Sequence, residues 1–251
     1  MVANSTIIPA FLVGWIQIVV PGDCFDEFFV KFNFLHVPCL KITISKCLGF
    51  AIILGSSIVK LPQVIKIFKA KSGQGISLVS VTFELMAISA SWAYGAGNNF
   101  PFSSYGEAIF LAIQTGSIAF MILFFSGKHM HAVAYMSIFV GSMAFLLSPA
   151  APKELLATLQ AGNLFMVVAS KMLQAVANVR NGGTGQLSFV TFLLLSLGAV
   201  ARVFTSIQET GDSMVVASYV LASVMNGLIL GQILYYWNVP PPVVVEAKKV
   251  K

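Results

Sequence analysis

A chain of 251 residues that is 57% hydrophobic and only 10% charged lacks the polar surface of a soluble globular domain, in which about a quarter of residues are charged. Its net charge of +6 sits in short loops between apolar runs and forms no aromatic-interleaved basic patch, which excludes a nucleic-acid partner. The period-two alternation of a spanning barrel is absent, so backbone groups in lipid must be satisfied inside helices, and the expected fold class is an all-α polytopic membrane protein.

The first apolar segment, IIPAFLVGWIQIVVPGDC, holds about 14 apolar residues between prolines, too few to cross a bilayer. It has neither the basic start nor the small-residue cleavage site of a signal peptide, and residues 7–20 read as an interfacial or loosely inserted segment. Cys24 and Cys39 are open to two readings, a bridge in an oxidising compartment or two free thiols. With Cys47 they offer no metal-ligand spacing, and the expected set of metals and cofactors is empty. Seven apolar runs follow, at 47–59, 76–96, 108–125, 133–147, 164–179, 187–207 and 214–237, most of them near the ~20 residues that a spanning helix needs.

The loops between these runs differ in charge. Lys60, Lys66, Lys69, Lys71, Lys128, Arg180, Lys248, Lys249 and Lys251 fall on one side, and the acid-bearing loops GNNFPFSSYGE, SPAAPKE and QETGDS on the other. The positive-inside rule makes the basic side cytosolic, with a lumenal N-terminus and a cytosolic C-terminus, although Lys31, Lys41 and Lys46 count against it. The tail ends Lys248-Lys249-Val250-Lys251, similar to the dilysine signal that retrieves membrane proteins to the endoplasmic reticulum.

A shift of 111 positions lays VKLPQVIKIFKAKSGQGISLVSV on SKMLQAVANVRNGGTGQLSFVTF without a gap: Lys60 meets Lys171, Gln63 meets Gln174, Lys69 meets Arg180, and farther on Gly116 meets Gly227. Collinear matches of this kind argue for duplication. Two like-oriented three-span units need one connecting span, which predicts a segment 1–46 that is lumenal or interfacial, a repeat at 47–126, a linker helix at 127–152, a second repeat at 153–238 and a tail at 239–251. Pro62 has no amide hydrogen and is expected to kink the first span and free a carbonyl near Ile58, with Gln63 offering its amide to that group. Leu173 stands at the equivalent position in the second copy, where no kink is expected.

This doubled proline-glutamine corner across seven spans resembles the PQ-loop family, which includes the lysosomal cystine exporter, SWEET sugar transporters and the KDEL receptor. The stretches LHVPCLKI, VKLPQV, NNFPFSS, TGQLS, FTSIQETGD, NGLI and YWN, from residue 25 to 238, resemble a branch of that family required for the use of dolichol-phosphate-mannose and dolichol-phosphate-glucose as lumenal glycosylation donors. The resemblance implies a non-enzymatic protein of the endoplasmic-reticulum membrane whose partners are dolichol-phosphate-linked mannose and glucose, membrane lipid and lumenal glycosyltransferases. It leaves three activities open: translocation of the lipid-linked sugar, its presentation without transport, and proton-coupled export of a small solute.

Charges at membrane depth are costly and usually face a cavity or each other. Lys60, Glu84 and Lys171 count to similar depths, roughly 10 to 12 Å from the cytosolic helix ends, and make a phosphate or ion-pair candidate. Arg202 lies near the opposite end, with Glu107 and Glu209 as available partners. Asn98, Asn99, Ser103, Ser104, Gln208, Glu209, Thr210 and Asp212, with Trp92, Tyr94 and Tyr105 for stacking, are the lumenal sugar-contact candidates. Glu84 is the one candidate proton site, because Asp23, Asp26 and Asp212 lie outside the spans. His36, His129 and His131 have no carboxylate or cysteine at ligand spacing, and no nucleophile elbow or phosphate-cradling loop is found, so no enzyme is expected.

Overall fold

The computed structural model describes residues 9–73, 76–184 and 189–239, and every regular element among them is a helix. Two short helices come first, α1 (Ala10–Val19) and α2 (Gly22–Phe29), with Pro21 between them as the N-cap of α2. Ten residues rise about 15 Å, half the hydrocarbon thickness, so α1 does not span. Cys24 and Cys39 are bridged, with their Cα atoms 5.2 Å apart, which decides between the two readings left open by the sequence. Val20, Phe25 and Phe28 bury themselves around the bridge, with Val13 and Ile16 of α1 against them.

The next helix, α3 (Val37–Val59), starts ten residues earlier than the run at 47–59 led us to expect. Its inner stripe is Ser45, Gly49, Ile53 and Ser56, at the three-to-four-residue spacing of one helix face, with Cys39 buried nearer its start. Serine and glycine in that stripe, with Lys41 and Lys46 beside it, hide the first three turns from a hydropathy reading. At Lys60 the helix breaks (φ −98°, ψ −5°) and resumes as α4 (Leu61–Ala70), because Pro62 cannot donate into the preceding turn. The carbonyls left open are those of Ser56 and Ser57, and the residue that meets them is not Gln63. Gln63 is exposed. Instead Gln114, from a later helix, donates through Nε2 to Ser56 O (2.9 Å) and Ser57 O (3.1 Å) and accepts at Oε1 from the Lys60 amide (2.9 Å). Gln63 lies on the exposed face of α4, whereas Gln114 crosses from a packed neighbour and reaches both sides of the gap.

Lys71 closes α4 in the left-handed region (φ 47°), and Gly73 follows where a Cβ would lie 2.8 Å from Ile122 Cγ1. Gln74 and Gly75, the rest of that turn, lie outside the described residues. Ser77 caps α5 (Leu78–Gly97) by accepting from the Ser80 amide at 3.3 Å. Next come α6 (Phe102–Phe125) and α7 (His129–Leu146). α6 is the central helix, touching α3, α4, α5 and α7. Gly106, Ala108, Ala112, Thr115, Gly116 and Ala119 are all buried along it, the small residues that let helices approach in lipid, where no hydrophobic force drives association.

Three further helices complete the described chain: α8 (Lys153–Arg180), α9 (Phe189–Glu209) and α10 (Ser213–Tyr235). α8 runs unbroken past Leu173, where the second copy lacks the proline. By length and hydropathy six helical stretches suit a membrane span: Val37–Ala70, Phe102–Phe125, His129–Leu146, Lys153–Arg180, Phe192–Glu209 and Ser213–Tyr235. α5, expected as the second span, matches them in length, but its serines, Thr82 and Glu84 dilute it. Its polar side chains are accommodated inward: Thr82 pairs with Tyr135 (3.0 Å), and Ser91 donates to Gln160 (3.2 Å). Large apolar side chains such as Ile138 (72% exposed) and Phe165 (73%) are left for lipid to cover.

The chain divides into two compact units. One comprises Met1–Asn163 with Phe204–Asp212, the other Leu164–Val203 with Ser213–Lys251. The start of α8 belongs to the first because Asn163 Nδ2 donates to Ala87 O (3.3 Å) and Ser91 Oγ (3.1 Å). In the second, Ala175, Phe192, Ile229 and Ile233 form the core.

Candidate functional site

Within the first unit, α3, α5 and α6 bring hydroxyls to carboxylates at the end of α9. Ser45 Oγ donates to Glu209 Oε1 at 2.7 Å and lies 3.5 Å from Thr205 O, while Ser103 Oγ donates to Glu209 Oε2. Gly49 is the reason that Ser103 gets close enough: a Cβ there would stand 2.8 Å from Ser103 O. Alongside, Tyr94 OH donates to Asp212 Oδ2 at 3.0 Å, and its ring meets Phe100 edge-on at 6.0 Å. Asp212 is set by the turn that ends α9. Thr210 Oγ1 donates to Ser206 O (2.8 Å) and accepts from the Asp212 amide (3.3 Å), and Gly211 takes φ +61°. Ser45, Ser103, Thr205 and Ser206 are all buried. The result is a pair of carboxylates with hydroxyl donors and flat aromatic faces on one side of a buried helix junction.

Of the lumenal candidates, Ser103, Glu209, Tyr94 and Asp212 therefore converge. Three others serve turns: Asn98 Nδ2 donates to Tyr94 O (2.9 Å) at the end of α5, Asn99 sits in the left-handed region (φ 56°), and Ser104 Oγ donates to Pro101 O (2.7 Å). Trp92 and Gln208 are half-buried on α5 and α9, and Tyr105 stacks edge-on against Phe102 (6.0 Å). Glu107 is half-buried on α6, and Arg202 is buried (4% exposed) in the second unit.

At the proline break, Lys60 Nζ pairs with Glu84 Oε1 at 2.6 Å, Lys60 being the more buried partner. Lys171, expected as the third member, belongs to the second unit, where its ammonium lies 4.8 Å above the Phe192 ring. Gln174 Nε2 donates to Asn178 Oδ1 (2.9 Å), Asn178 Nδ2 to Gln232 Oε1 (2.8 Å) and Gln232 Nε2 to Ala175 O (3.0 Å), a polar chain that ties α8 to α10. Lys248 and Lys249 lie outside the described residues. Among the described residues no group of three or more His, Cys, Asp or Glu is placed to hold a metal ion.

Ser45, in the Glu209 group, and Gln114, at the proline break, are not singled out by the sequence. The 111-residue shift also pairs Thr115 with Asn226, and in their separate units both are buried, with Thr115 Oγ1 and Asn226 Oδ1 lacking a hydrogen-bond partner among the described residues. The duplication supplies the pairing of the two positions, and the structure supplies their burial.

The chain matches the PQ loop repeat model twice, at residues 44–104 and 155–214. It is 26% identical over 177 residues, 70% of this chain and 86% of the relative, to solute carrier family 66 member 3 of Homo sapiens. No solved structure matches the chain. Both matched stretches open on the helix that leads to a basic corner and end at the polar helix ends described above; the chain is an all-α, polytopic membrane protein that is similar to the PQ loop repeat over these two stretches.

Proposed function

We propose that this protein serves the endoplasmic-reticulum membrane by handling dolichol-phosphate-mannose and dolichol-phosphate-glucose for lumenal glycosylation, binding the lipid-linked sugar and moving its headgroup across the bilayer. The sequence stretches similar to the mannose-P-dolichol utilization defect 1 protein motivate this reading, and a relative named as a solute carrier is in keeping with it. The observation that carries it is the convergence of Ser45, Ser103, Tyr94, Glu209 and Asp212. Directional hydroxyl and carboxylate groups beside aromatic faces are what a pyranose needs from a protein.

The Cys24–Cys39 bridge supports the assignment of sides. Disulfides persist in oxidising compartments, so the N-terminal end of α3, and the Ser45–Glu209 group near it, face the lumen in this reading. Break and polar group are well separated: Ser45 precedes Lys60 by 15 residues, about 22 Å of helix. The proton-coupled alternative loses ground, because its one candidate proton site, Glu84, is tied to Lys60 at 2.6 Å.

The test is reconstitution of pure protein in vesicles with a labelled dolichol-phosphate-mannose analogue. We expect faster transbilayer movement of the headgroup, lowered at least tenfold by Glu209→Gln, about 1.4 kcal/mol in barrier. An unchanged rate with retained binding supports presentation to glycosyltransferases instead. Absence of both overturns the proposal.

A further inference from the structure

Between α5 and α7, closed at one end by Leu159 of α8, runs an open-sided slot of about 330 Å³ inside the first unit. On α5 it extends from Thr82 to Ala90, about 12 Å at the helical rise. Its few polar groups are spent internally: Ser89 Oγ donates to Leu85 O (2.7 Å), Ser142 Oγ to Phe139 O (2.8 Å), and Thr82 Oγ1 donates to Leu78 O (2.8 Å) and pairs with Tyr135 OH. Nothing in the slot is left to bind water or a sugar, so its ligand is hydrocarbon.

Size and charge narrow that ligand. A slot of this volume over this length is too narrow for a partner helix, which is about 10 Å across, and takes one hydrocarbon chain. A two-tailed phospholipid leaves its second chain outside. Tyr135 packs on the cluster that includes Ile67 of α4, and Thr82 and Tyr135 lie within two turns of the starts of α5 and α7, so this end of the slot is the end that carries exposed Lys66, Lys69, Lys71 and Lys128. An anionic headgroup at that mouth is matched by four cations. We propose that the α5–α7 slot binds the tail of a single-chain polyisoprenyl phosphate with its phosphate toward the basic end. The proposal rests on the reading above and names a second place at which that lipid is held, apart from the Glu209 group.

The test uses full-length protein in neutral-lipid nanodiscs and polyprenyl phosphate carrying a diazirine in its tail, with adducts mapped by mass spectrometry. Adducts are expected within 82–90 and 135–146, and Ala90→Phe or Ser142→Phe, which fill the slot, are expected to lower them about fivefold or more, near 1 kcal/mol. A diazirine phosphatidic acid, with the same phosphate and two tails, is expected to label the slot weakly. Adducts elsewhere, labelling unmoved by the filling substitutions, or equal labelling by phosphatidic acid overturns the proposal; the map on the unsubstituted protein stands even if a variant misfolds. Intact translocation without slot labelling sinks only this inference, and slot labelling without translocation or donor binding sinks only the function proposed above.

Discussion

Gln114 illustrates how a proline creates a need that its own sequence neighbourhood does not meet. Pro62 opens the turn between α3 and α4, and a side chain 52 residues away joins Ser56 and Ser57 to Lys60 across the gap. Gln114→Leu keeps the volume and removes those bonds, and it is expected to lower stability by about 1–2 kcal/mol, since buried backbone groups lose partners that lipid cannot replace. Unfolding in mixed micelles reads this; no change means that the break is held by packing alone. At the other end of α3, Ser45→Ala removes one donor to Glu209 and leaves a carboxylate oxygen less satisfied. We expect weaker binding of a dolichol-phosphate-mannose analogue with the melting temperature nearly unchanged, and a fall in melting temperature with full binding marks Ser45 as structural only.

Helix against helix, close approach depends on absent side chains. Gly49→Ala drives a methyl to within 2.8 Å of Ser103 O, so α3 and α6 must separate, at a cost of about 1–3 kcal/mol. Gly55, two turns on in the same helix, has nothing within 4 Å, and Gly55→Ala is expected to be neutral or slightly stabilising. Equal effects of the two in a detergent melt contradict the packing described for α3. The staple on the N-terminal arm gives a second contrast. Cys24 and Cys39 are 15 residues apart, a loop whose closure contributes roughly 3 kcal/mol in the chain-entropy account. Cys39→Ser is therefore expected to free α1 and α2 to proteolysis while the α3–α6 contacts remain, which limited proteolysis followed by peptide mapping checks.

For the whole molecule, the duplication makes a demand on sidedness. With Cys47 replaced by alanine, single cysteines at Lys69 and Arg180 are expected to react with an impermeant maleimide from the same side of sealed vesicles, which is what a duplication into like-oriented units requires. Labelling from opposite sides contradicts parallel repeats. Helix existence, the break at Pro62, the unbroken α8 and the doubled unit were all legible in the chain, because each depends on local chemistry: an apolar run, a missing amide hydrogen, a leucine in place of a proline, a recurring glycine-rich corner. The start of α3 was not, since Ser45 and Gly49 look like interruptions until α6 lies against them. The same holds for Gln63 and Gln114, two ordinary glutamines whose roles differ only in which helix faces the gap. The amino-acid sequence by itself determined that this is a membrane protein of helices in two repeated sets, because lipid enforces internal hydrogen bonding wherever apolar runs are long enough to cross it. Only tertiary packing decided which serines reach Glu209, which glutamine joins the two sides of the proline break, and that Cys24 bonds Cys39, because these pairings depend on how each helix is rotated about its axis.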